Sequence, residues 1–319
     1  MNLRLPRPRP RFPFATAPTP SGIEPLPEKK RTGVDYDTEW ARTFPARFTR
    51  LALLETIITP AMKVLATPSR RGLDNLQDLV RASDDGLSQP VIFAANHHSH
   101  VDTPLLLSSL PEPWRHRIFV GAAADYFFKT RVTSVTSALA LNAIPIERTR
   151  VSRRSADDAA ALIDDGWSML IYPEGGRSPD GWGQPFRGGA AYLALRCHVP
   201  VVPVHLEGTS RIMRKGRKRP ARSATRITFG RPLWADADGR ASEGREDSRR
   251  FAARIERAVA ALADEATSDW YSARLRVHRD ATPALSGPGA MAGWRRAWAL
   301  GDRGPKQRRS TTRRWPDLG

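Results

Sequence analysis

Between residues 90 and 266 short apolar runs alternate with stretches of helical periodicity, and this alternation restricts the chain to an α/β architecture. PVIFAAN, residues 90–96, is short and fully apolar and predicts a strand. DTPLLLSSL follows as a helix, with Asp102 as candidate N-cap and Pro104 in its first turn. RIFVGAAA predicts a second strand, SADDAAALIDDG a helix capped by Ser155 and closed by Gly166, SMLIYPEGG a third strand, and GAAYLALRCH a further helix. VPVVPVHLEG and RITFG complete the strands. DSRRFAARIERAVAALADEA then sets Phe251, Ile255, Val259 and Leu262 at helical spacing. With no internal repeat, the expectation is a single α/β domain over residues 34–278, with a central mixed sheet flanked by helices.

Composition limits what lies outside that core. Residues 1–33 hold eight prolines and few periodic apolar positions, too little burial to offset ordering, so a disordered tail is expected there. Residues 279–319 read as a second basic, largely disordered tail, with room for one short helix at MAGWRRAWAL. The net charge of +18 is unevenly spread: residues 211–231 carry 9 basic and 0 acidic groups, and residues 271–319 carry 11 and 3. RIMRKGRKRPAR, residues 211–222, suits either a solvated loop or a contact with anionic lipid head groups. Nucleic acid is not expected, because no aromatic interleaving or recognition helix accompanies the charge. The single cysteine, Cys197, excludes an intramolecular disulfide and a multi-Cys zinc cluster, fits a reducing compartment, and sits in an apolar helical setting that predicts a core thiol.

No uncharged apolar run reaches the ~18 residues of a membrane span. FTRLALLETIITPAMKVLA comes nearest and is broken by Glu55, Pro60 and Lys63; residues 48–66 suit either a helix lying in the membrane interface or one packed on the sheet. The N-terminus is basic but lacks the apolar stretch of a secretory signal. A cytoplasmic protein, peripherally associated with the inner face of the cell membrane, is expected.

The first predicted strand runs into NHHSHVD, residues 96–102. His97 and Asp102 are five positions apart, an offset that neither a helix nor a strand brings to one side. A strand-to-helix turn does. There a carboxylate can accept from one imidazole nitrogen and leave the other basic, the arrangement of a general base worth roughly 10² to 10⁴ in rate. Two other readings stand beside it. HSHVD matches half of the His-x-His-x-Asp pattern of metallo-β-lactamase-like hydrolases, although Thr103 stands where those enzymes usually have another histidine. The cluster also suits a polar turn whose histidines bond backbone groups.

A second stretch, IYPEGGRSPDG, ends the third strand in Pro-Glu-Gly-Gly-Arg. Gly175 and Gly176 permit close approach of a ligand, and Arg177 offers a planar fork for phosphate. NHHSHVD, AIPIERTR at 143–150, YPEGGRS at 172–178 and VPVVPV at 199–204 resemble, in order and spacing, the 1-acylglycerol-3-phosphate acyltransferase family of glycerolipid acyltransferases over residues 50–270. The resemblance implies a glycerol-3-phosphate acyltransferase-like fold and transfer of an acyl group from acyl-CoA or acyl carrier protein to the free hydroxyl of 1-acyl-sn-glycerol-3-phosphate. Another lysolipid or glycolipid acceptor is the alternative. By the same resemblance His97 is the base, Asp102 orients it, and Arg148 binds the acceptor phosphate, with Glu174, Gly175, Gly176 and Arg177 shaping that site. Because a thioester is already activated, no metal, cofactor or acyl-enzyme nucleophile is required, and Ser99 is not assigned as one. Backbone amides near Gly175 and Gly176 are the candidate oxyanion donors. Tyr172, Gly176 and Glu147 depart from the Phe, Thr and Asp more usual in the family, which bears on acceptor choice.

Overall fold

The computed structural model describes residues 32–81, 88–147, 153–178, 181–213, 219–235 and 244–287. Most of both expected tails, the helix expected at 291–300, part of the basic segment and Arg148 lie outside the described residues. Seven strands form one sheet: β1 Pro68–Arg71, β2 Ile92–Ala95, β3 Ile118–Ala123, β4 Ala143–Ile146, β5 Ser168–Ile171, β6 Val201–Glu207 and β7 Thr225–Phe229. Their order is β1-β7-β6-β2-β5-β3-β4. Every adjacent pair is parallel except β6 and β7, so the sheet is mixed, as the alternation of elements predicts.

Side chains of a strand alternate between faces, and both faces of this sheet are covered. In β2, Phe93 and Ala95 enter one apolar cluster while Ile92 and Ala94 enter the other. Helices α1 Phe44–Leu53, α2 Thr59–Ala66, α3 Gln77–Arg81, α4 Asp102–Ser109, α5 Glu112–Arg115, α6 Ala124–Phe127 and α7 Arg131–Leu141 come from the first half of the chain. Helices α8 Arg153–Asp164, α9 Gly189–Arg196, α10 Thr209–Met213, α11 Arg245–Thr267 and α12 Trp270–His278 come from the second. Leu54, Met62, Ala66 and the Leu105–Leu107 run of α4 pack the Phe93 face; α8, α9 and α11 pack the Ile92 face.

The stretch expected as a helix over 48–66 starts at Phe44 and runs unbroken to Ala66, with a π-turn at Leu54–Ile58. Pro60 lacks an N–H and crowds the carbonyl one turn earlier, and the wider turn ahead of it relieves that clash. One side of the helix is buried and the other is apolar and open, with Phe44 79% and Phe48 62% exposed. Two local expectations are corrected. Helix α8 begins at Arg153, so Ser155 lies buried inside its first turn rather than capping it; Gly166 closes the helix at φ +82° as expected. Asp102 is the first helical residue and not the N-cap, because its carboxylate is turned back over the preceding loop. Strand β1 has no apolar signature, with three of its four residues exposed, and it serves as a basic edge. Pro145 in β4 is tolerated because β4 is the other edge.

Candidate active site

Strands β2 and β5 are parallel neighbours, with Ala94 opposite Ile171, so NHHSHVD and YPEGGRS leave the sheet side by side at its carboxyl edge. Asn96 ends the first strand. Its buried amide donates to the Leu206 carbonyl at 2.9 Å and accepts from the Leu206 N–H at 2.7 Å, continuing the pairing with β6 through a side chain. The chain then turns, and His97 Nδ1 meets Asp102 Oδ2 at 2.8 Å. The same oxygen accepts the backbone N–H groups of His98 at 2.7 Å and Ser99 at 2.8 Å.

Asp102 is 0% exposed. Burial alone would raise its pKa, but the His97 hydrogen bond and charge, the Thr209 hydroxyl and the Ser99 amide outweigh it and hold the carboxyl below its ordinary range. Because Asp102 stays ionised, the imidazole is oriented with Nδ1 toward it. His97 keeps 16% of its side chain exposed, and its ring stacks on Tyr172 at 4.1 Å and 19°. The Tyr172 hydroxyl bonds Thr103 at 3.0 Å, a contact that phenylalanine there could not make.

Glu174 stands behind the histidine, 2% exposed. One carboxylate oxygen accepts the His97 N–H at 2.9 Å and the other the Gln184 N–H at 3.0 Å. Ser178 N–H donates to the His97 carbonyl at 2.9 Å, so the second motif grips the backbone of the first from both sides. Burial pushes the Glu174 pKa up to about 7 against the opposing pull of those two amides. Glu174 is therefore directed inward, supporting the backbone of His97 and Gln184. Arg177 is half-buried at the open side of the loop, near enough to His100 to help burial lower that imidazole's pKa. Gly175 has φ +73°, and a Cβ there would stand 2.8 Å from Arg187 Nε, a cation at the loop that sequence patterning did not single out. The Gly175 N–H donates to the Tyr172 carbonyl at 3.0 Å, which removes it from the candidate oxyanion donors.

The remaining histidines separate. His100 stacks on Tyr126 at 5.8 Å and approaches its hydroxyl at 3.3 Å. His98 lies toward buried His205, whose pKa is driven down to about 3 by burial, with His98 and Arg226 adding to the effect. Among the described residues no three His, Cys, Asp or Glu side chains converge as a metal-ligand set. Ser99 is fully buried and donates to the Met213 carbonyl at 2.6 Å, the place of a loop anchor and not of a nucleophile.

The carboxyl edge of these parallel strands carries a buried carboxylate–imidazole pair beside a Gly-Gly-Arg loop, and residues 69–207 match the family model described as Acyltransferase. The structure is similar to that of PlsC, the 1-acyl-sn-glycerophosphate acyltransferase of Thermotoga maritima, with a TM-score of 0.51 and 22% identity over 73% of this chain and 84% of that one; this likeness concerns the fold. Among curated proteins, the chloroplastic 1-acyl-sn-glycerol-3-phosphate acyltransferase BAT2 of Brassica napus is 31% identical over 46% of this chain and 39% of its own length. The human 1-acyl-sn-glycerol-3-phosphate acyltransferase beta is 29% identical over 37% of this chain and 41% of its own. The chain thus spans about two fifths of the length of these relatives. These sequence matches cover less than half of the chain, and the curated relatives are named as 1-acyl-sn-glycerol-3-phosphate acyltransferases.

Proposed function

We propose that the protein is an O-acyltransferase that moves an acyl group from a thioester, acyl-CoA or acyl carrier protein, to the hydroxyl of 1-acyl-sn-glycerol-3-phosphate, giving phosphatidate. The observation that carries this reading is the 2.8 Å contact between His97 Nδ1 and a fully buried Asp102. With Nδ1 committed, Nε2 takes the proton from the acceptor hydroxyl as its oxygen attacks the thioester carbonyl. The C–O bond forms, the tetrahedral intermediate collapses with loss of the C–S bond, and the imidazolium returns the proton to the departing thiolate. Asp102 stabilises the imidazolium while it exists. Arg177, with Arg148 and the neighbouring Arg187, supplies guanidinium groups for the acceptor phosphate. The Gly176 amide is the remaining donor for the oxyanion on that loop.

The substrate in this reading is a lipid, and the exposed apolar side of residues 44–66 supports docking on an anionic membrane surface. Phe44, Phe48, Leu51, Ile57 and Val64 lie open there, and the basic segment at 211–222 adds charge of the matching sign. No described helix is long and apolar enough to cross a membrane.

The test is release of free thiol from an acyl-thioester in the presence of lysophosphatidate, compared with other lysolipids and glycerol phosphate. His97→Ala is expected to lower the rate by roughly 10² to 10⁴ while the far-ultraviolet circular dichroism stays unchanged. Transfer at the wild-type rate by that variant would overturn the assignment.

A further inference from the structure

Where α11, packed against β6, and α12 approach the ends of β1 and β7, the molecule has a cleft of about 610 Å³. None of its lining residues comes from the loops that carry His97 or Arg177. Leu233, Ala261 and Leu262 make an apolar floor, and Arg71, Arg231, Arg254, Arg257 and Arg274 stand around it. Asp74, Glu265 and Asp280 share the lining, so guanidinium groups outnumber carboxylates five to three.

Several of these arginines are already oriented. Arg274 lies over the Trp270 ring at 5.8 Å, and Arg254 lies over Phe251 at 5.3 Å while donating to the Trp234 carbonyl at 3.2 Å. Arg257 faces Asp280 at 3.8 Å. Arg71 and Arg231 are exposed, and no carboxylate among the described residues forms an ion pair with either.

Gathering like charges around one concavity costs electrostatic free energy, which an anion held among them would offset. A small hydrated ion would leave the apolar floor wet. A ligand with both an apolar chain and an anionic head satisfies both parts, and the volume falls within the ~300–1,000 Å³ of small-molecule sites. We propose that this cleft is a second, non-catalytic lipid site for an anionic amphiphile with one acyl chain. The chain lies on Leu233, Ala261 and Leu262, and a phosphate or carboxylate head takes the guanidinium forks. Occupancy does not depend on acyl transfer at His97.

The experiment is calorimetric titration of the full chain with dodecyl phosphate below its micelle concentration, with inorganic phosphate, dodecanoate and dodecyl maltoside as comparison ligands. Arg177→Glu serves as the background that suppresses binding at the candidate active site. In that background one dodecyl phosphate is expected to bind, and dodecanoate likewise. Inorganic phosphate, without a chain, and dodecyl maltoside, without a charge, should each bind at least about tenfold more weakly. Arg231→Glu combined with Arg274→Glu, both at exposed positions, should weaken dodecyl phosphate by at least about tenfold, as should Ala261→Phe, which fills the floor. Unchanged affinity in the double charge reversal overturns the proposal. So does inorganic phosphate binding as tightly as dodecyl phosphate, or loss of all dodecyl phosphate binding in Arg177→Glu.

Discussion

At position 102 a fully buried carboxylate stays ionised because one of its oxygens gathers an imidazole and two backbone amides. Two substitutions separate its roles. Asp102→Asn keeps an acceptor for the amides but presents the wrong partner to Nδ1, so thiol release is expected to fall by roughly 10² to 10⁴ with the loop retained. Asp102→Ala leaves the His98 and Ser99 amides without their acceptor, and denaturant titration should show an added loss of about 1–3 kcal/mol. Glu174 behaves differently. Its pKa is raised from 4.5 to about 7, so its stabilising contribution is complete below about pH 4.5 and is lost as pH rises through about 7. His205, lowered to about 3, acts with the opposite sign, losing stability as pH falls from 6.5, but it does so in wild type and variant alike. The difference in unfolding free energy between wild type and Glu174→Gln should therefore change by about 2–3 kcal/mol between pH 4.5 and pH 8, against the wild type at the higher pH. A difference that is flat with pH would contradict the burial seen here.

Among the elements, the helical stretch from Phe44 to Ala66 packs one side on the sheet, as one of the two sequence expectations had it, and its open side carries the proposed membrane contact. Leu54, Met62 and Ala66 belong to the core, while Phe44 and Phe48 stack on each other at 6.5 Å on the outside. Replacing Phe44 and Phe48 with serine should leave thermal stability nearly unchanged and lower partition onto anionic vesicles by at least about tenfold, since each phenylalanine contributes about 1.5–3 kcal/mol when buried. Vesicle sedimentation measures it. The strands at β2, β3, β5, β6 and β7 were legible as apolar runs. Strand β1 was not, because an edge strand of Pro-Ser-Arg-Arg buries almost nothing and carries no pattern to read. Helix α7, rich in serine and threonine, was missed for a related reason: its Thr130–Thr133 capping box is a local hydrogen-bond device within a weakly periodic segment.

Across the whole molecule, the sheet is the rigid body on which both motifs ride. Phe93 sits at its centre, 0% exposed, edge-on to Trp114 at 5.9 Å and Phe229 at 6.4 Å, and so ties β2 to β7 across β6. Phe93→Ala should cost about 3–5 kcal/mol in denaturant titration, well beyond any single change in the candidate site loops. The alternation of strands and helices, the His97/Asp102 spacing and the Gly-Gly-Arg loop are local in the chain, and local patterns of burial and turn chemistry were enough to find them. That Glu174 holds the His97 amide 77 positions away and that Tyr172 stacks on the imidazole depend on β2 and β5 being adjacent, and that His98 lies toward His205 depends on β6 bordering β2 on its other side. Strand order is a property of long-range pairing, which leaves no periodic trace in the residues it brings together; only the folded sheet could assign them.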